Sequence, residues 1–111
     1  MITCKESVRF SVLRFEMISV LEKIFQAFRK WNCACIITCG TEGHPEDDPH
    51  PKGFALDFRS KHIKDSATKQ AILQELRQTL GPVYTVILEN EGLAQEHFHI
   101  QVRKDIWRTL L

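Results

Sequence analysis

With 111 residues, 43% of them hydrophobic and 26% charged, the chain is sized for one domain with a modest core and is too short for two. The 15 basic residues are scattered among 14 acidic ones, for a formal charge of +1, so neither a nucleic-acid surface nor a membrane surface is indicated. No apolar run approaches the ~20 residues that span a bilayer, and the first seven residues lack the order of a secretory leader, so the expectation is a protein that begins in the cytosol.

Residues 7 to 12, Ser-Val-Arg-Phe-Ser-Val, alternate polar and apolar and predict a short strand. From about Arg14 the period lengthens. Met17, Leu21, Ile24, Phe28 and Trp31 recur at three- and four-residue steps, with Ile18 and Phe25 widening the stripe, and predict a helix that stops near Asn32. Such a stripe is core and carries no chemistry. Cys33 to Cys39 is a continuous apolar run, short enough for a central strand buried on both faces. Its cysteines, with Cys4, read as reduced, packed thiols, because the spacings do not match the loops that wrap a zinc ion.

Gly40 to His50 is polar and irregular, as functional loops often are, and Glu46 to Asp48 reads as a solubilising acidic rim. Phe54 to Phe58 alternates again, with Phe54, Leu56 and Phe58 on one face and Ala55 and Asp57 on the other. After the basic connection from Arg59 to Lys64, Ser66 is a plausible cap for a helix that buries Ile72, Leu73, Leu76 and Leu80 and ends at Gly81-Pro82. Val83 to Glu89 and Glu96 to Val102 predict an antiparallel pair of strands. Lys104 to Leu111 predicts a short helix, with Trp107 and Leu110 packing back. The order β-α-β-loop-β-α-β-β-α predicts an α+β domain spanning residues 1 to 111, a small antiparallel sheet with helices packed on it.

Two stretches carry the chemistry. His50 and Asp57 can converge only if the backbone turns between them, which Gly53 permits. His97 and His99, two apart on a strand, share one face about 7 Å apart at ~3.4 Å of rise per residue. Two histidines and an aspartate suit Zn²⁺, and three protein ligands leave a fourth position for water, the arrangement of a catalytic site. Glu96 stands where its carboxylate can take a proton as water attacks a carbonyl, and His97 can support the oxyanion or handle that proton. The helix-borne His-Glu-x-x-His pattern is absent.

The motif His50-x-x-Gly53-x-Ala55-x-Asp57, followed by Glu96-x-x-His99 within His97-x-His99, resembles the zinc D-Ala-D-Ala carboxypeptidase and L-Ala-D-Glu endopeptidase family of the Hedgehog/DD-peptidase fold, most of all its small phage-borne members. The resemblance runs from about Ile36 to Val102. It implies zinc on His50, Asp57 and His99, Glu96 as general base, and His97 near the oxyanion. It also implies a peptidoglycan stem peptide or a D-amino-acid dipeptide as substrate. A phage enzyme without a leader would be delivered to the cell wall by other means. The family often has Ser where this chain has Asp48, and an Arg after the strand that ends here at Cys39. His44 and Arg59 are the nearest replacements for that Arg. The same fold also supports an alternative, a zinc-stabilised binding module without turnover.

Overall fold

The computed structural model describes residues 1–43 and 47–111. Five strands form one sheet: β1 (Ile2–Cys4), β2 (Cys35–Cys39), β3 (Ala55–Arg59), β4 (Tyr84–Glu89) and β5 (His97–Val102), in spatial order β1-β2-β3-β5-β4. The helices are α1 (Phe15–Ile18), α2 (Leu21–Lys30), α3 (Ser66–Leu80) and α4 (Lys104–Trp107), followed by a 3-10 turn at Arg108–Leu110. The architecture is α+β, as expected. The sheet is mixed, because β1 runs parallel to β2 while the other pairings are antiparallel.

The expected first strand at residues 7 to 12 does not form. Alternation makes a strand only where an edge is free to pair with it, and here the segment turns against the loop after β2. Thr41 N–H donates to the Arg9 carbonyl at 2.7 Å, and Arg9 N–H donates to Glu42 Oε1 at 2.9 Å. Val8 is buried while Phe10 and Val12 are exposed. The long helix expected from Arg14 divides into α1 and α2 at Ser19-Val20. Ser19 Oγ donates to the Glu16 carbonyl at 3.1 Å, a side-chain bond of the kind that competes with helical pairing. Met17, Ile24 and Phe28 keep their core places, and Ile18 is left exposed. Asn32 closes α2 with a left-handed φ of 55°.

Smaller corrections follow the same logic. Strand β2 begins at Cys35 and exposes alternate residues partly, instead of being buried on both faces. Asp65, not Ser66, caps α3, its carboxylate accepting from Ala67 N–H at 3.1 Å. Trp107 packs back as expected, while Leu110 stays exposed.

The central strands divide the molecule by face. On one side the register aligns Phe58 with Phe98 and Leu56 with Ile100 and Val86, all buried. The Phe28 ring on α2 lies 6.0 Å from that of Phe58 and meets Phe98 edge-on at 5.5 Å. Ile72, Leu73, Leu76 and Leu80 of α3 complete this core, each such side chain contributing roughly 1.5–3 kcal/mol by leaving water. The other side is polar. Across it run two rows, Cys39-Asp57-His99-Ile87 and Arg59-His97-Glu89.

Candidate metal centre

Asp57 stands at the middle of its row, between Cys39 on β2 and His99 on β5. His50 arrives from the loop before β3. That loop is fixed at three points: His50 N–H donates to Asp48 Oδ1 at 2.9 Å, Gly53 N–H to the His50 carbonyl at 3.0 Å, and Phe54 N–H to the Pro49 carbonyl at 2.9 Å. Gly53 has φ of 84°, and an added Cβ would lie 1.9 Å from the Val12 carbonyl oxygen. Only glycine satisfies both conditions. Asp48, where the resembled family often has serine, thus helps set the direction of His50.

The structure brings the three expected ligands together. Asp57 Oδ1 lies 3.2 Å from His50 Nε2 and 2.8 Å from His99 Nδ1. All three residues are buried, His50 almost completely. Second partners fix which nitrogen of each ring faces inward. His50 Nδ1 lies 2.7 Å from the Gly40 carbonyl, which can only accept, so that nitrogen carries a proton and Nε2 is the one that faces Asp57. The amide nitrogen of Gln101 donates to the Val102 carbonyl, so Gln101 Oε1 accepts from His99 Nε2 at 2.8 Å and leaves His99 Nδ1 facing the carboxylate. One nitrogen of each ring therefore faces Asp57 Oδ1. Such a set requires protons or a cation at its centre, and outer partners of this kind orient metal ligands.

Protons on these facing nitrogens meet that requirement. Burial alone would lower the His50 and His99 imidazoles, but their bonds to Asp57 and its charge outweigh it and raise both. Burial alone would raise the Asp57 carboxyl, but the bonds from His50 and His99 hold it well below the usual range. The ligand atoms of Cys39, His50 and Asp57 lie within 4.8 Å of one another, as do those of Asp57, His97 and His99. The cluster could hold a metal ion.

His97 Nε2 is 3.5 Å from Asp57 Oδ2, and its Nδ1 donates to the Gln95 carbonyl at 2.8 Å. Glu96 takes a place the sequence does not suggest. Its carboxylate accepts from Ser60 Oγ at 2.6 Å, Lys69 Nζ at 2.7 Å and Gly92 N–H at 2.9 Å. Burial would raise its pKa, but these three donors bring it down to about 2. Glu89, which the sequence reading passed over, lies with Oε1 3.4 Å from His99 Nδ1 and 3.7 Å from His97 Nε2. The signal was in the hairpin: pairing the expected strands across the loop sets Glu89 opposite His97. Cys39 is the second omission, hidden because its position depends on an irregularity in β2.

A cleft of about 620 Å³ opens beside the cluster, lined by Asp57, His97, Glu96, Arg59, Lys5 and Lys61 among others. Arg59 is thus at the rim of the site, whereas His44 lies outside the described residues. Among the described residues no helix is long and apolar enough to cross a membrane. Comparison of the chain with known protein families, with characterised proteins and with solved structures finds no match.

Proposed function

We propose that this protein is a zinc-dependent metallopeptidase that hydrolyses an amide bond in peptidoglycan stem peptides or D-amino-acid dipeptides. The observation that carries the reading is that His50 and His99 both turn a ring nitrogen on the buried Asp57, with the ring orientations set by Gly40 and Gln101, at the side of an open cleft. An N, N, O donor set matches zinc, and the motif that supplies it resembles the peptidase family named above. The Hedgehog/DD-peptidase fold belongs to the same proposal. When bound, the ion would polarise the scissile carbonyl and acidify a water molecule.

The chain's own residues do the rest. Glu96, the base implied by the resemblance, is held by three donors, which stabilise its charge and weaken it as a proton acceptor. Glu89, with a partly exposed side chain facing His97 and His99, is better placed to accept the proton. His97 uses its Nδ1 proton on Gln95, so its Nε2 first takes a proton and only then donates one toward an oxyanion or leaving group. Arg59, on the cleft wall, is placed to meet a carboxylate of the substrate.

Elemental analysis of protein purified without added metal, beside a His99→Ala variant, tests the centre. About one zinc per chain, lost in the variant, is expected; zinc absent from both, and not taken up on reconstitution, would overturn the reading. Hydrolysis of peptidoglycan fragments and D-alanyl dipeptides should then fall by roughly 10²–10⁴ in Glu89→Gln at unchanged zinc content, the usual effect of losing a general base.

A further inference from the structure

The register between β2 and β3 slips by one residue at the end of β2, as at a β-bulge. It pairs Ile37 with Phe58 but Cys39 with Asp57, so one residue, Thr38, is extra on the β2 side. Regular antiparallel pairing from Ile37 onward would set Thr38 opposite Asp57 and Cys39 opposite Leu56, on the apolar face. The bulge turns Cys39 onto the polar face, beside the buried carboxylate and imidazole. Bulges next to functional sites commonly re-aim a side chain in this way. The Cys39 sulfur, His50 nitrogen and Asp57 oxygen lie within 4.8 Å of one another. Bond lengths of ~2.0–2.3 Å set the edges of a tetrahedral zinc site at about 3.5 Å, and these three ligand atoms already lie close to that spacing. The thiol donates to the Glu42 carbonyl at 3.6 Å and to the Gly40 carbonyl at 3.9 Å.

We propose that Cys39 is a fourth protein ligand of the metal centre, binding as a thiolate beside His50, Asp57 and His99 and releasing its proton to solvent. The inference rests on the metal-centre reading above and adds a regulatory element to it. A divalent ion on one carboxylate and two neutral imidazoles leaves a net positive charge in a buried site, and a thiolate cancels it. Four protein ligands also complete the closed set of a structural zinc, so the position for water opens only when Cys39 lets go. A thiolate further biases the centre toward zinc or cobalt over magnesium or calcium.

Cobalt substitution reads the sulfur directly. The apoprotein is loaded with Co²⁺, and near-ultraviolet thiolate-to-cobalt charge-transfer absorption is recorded for the wild-type chain and for the Cys39→Ser, Cys4→Ser and His99→Ala variants. The expected result is a band in the wild type and in Cys4→Ser, and its loss in Cys39→Ser with cobalt still bound. Circular dichroism and thermal melting verify that Cys39→Ser is folded. Stoichiometric cobalt without the band, or a band that survives in Cys39→Ser, overturns Cys39 as a ligand and leaves the metal centre standing. Failure of every form to bind cobalt overturns both.

Discussion

Glu96 shows how a residue can match a motif and still have structural work to do. Its carboxylate closes a bonded group with Ser60, Lys69 and the Gly92 backbone, tying the start of β5 to β3, α3 and the loop before it. Charge-assisted bonds of this kind contribute about 1.5–3 kcal/mol each. Glu96→Gln should therefore destabilise the fold by roughly 1–3 kcal/mol at neutral pH. The folded pKa of about 2 lies below the ordinary 4.5, so this stabilisation is present above pH 4.5 and disappears as pH falls toward 2. Denaturant titrations of both proteins across that window should converge at its acid end. A constant difference would show that the charge is not what matters. The sequence could name Glu96 but not its partners, because Lys69 is 27 positions away on another element.

At the scale of the element, the loop from Asp48 to Phe54 converts sequence spacing into geometry. The seven-residue step from His50 to Asp57 was readable, and so was the turn at Gly53. What was not readable is the neighbour that makes glycine obligatory, the Val12 carbonyl, because residues 7 to 12 were expected as a strand elsewhere. Gly53→Ala meets both the left-handed φ and that carbonyl, so it should cost about 1–3 kcal/mol and weaken zinc binding by displacing His50. Gly92 provides the comparison, with φ of 80° and nothing within 4 Å of an added Cβ. Gly92→Ala should cost about 1 kcal/mol and leave zinc affinity unchanged, as melting curves and metal titrations of the two variants would show. The other elements follow the same division. Strands β3 and β5 were legible because their apolar residues Leu56, Phe58, Phe98 and Ile100 recur every second position toward the core, whereas β1 was missed because Ile2–Cys4 gains its structure from pairing with β2. The bulge in β2 leaves no trace in composition, so Cys39 read as core.

For the whole molecule, the sheet separates an apolar core face from the polar face that carries the candidate metal centre. The fold rests on the aromatic and aliphatic layer under α2 and α3, and the cluster around Asp57 lies on the opposite side. Removing metal should accordingly lower the melting temperature without unfolding the chain at room temperature. Free zinc at about 100 times its Kd adds roughly 2.7 kcal/mol, and its effect should vanish in His99→Ala. Differential scanning calorimetry with and without chelator reads both, and equal shifts in wild type and variant would place the stabilising ion elsewhere.

The residues of the proposed metal centre are also far apart along the chain. Asp57 and His99 meet only when β3 and β5 are paired, across 42 residues, and His50 joins them only when its loop is seated. An ion cannot gather these groups early, as it does where ligands are close neighbours in sequence; it must wait for the sheet. Metal should therefore leave the refolding rate nearly unchanged and slow unfolding, since interactions absent from the transition state act on the unfolding limb. If the proposed centre binds zinc, chevron plots recorded with zinc and with chelator should share their folding arms and separate only on the unfolding side, so that the ion would act as a kinetic safeguard of a fold already complete.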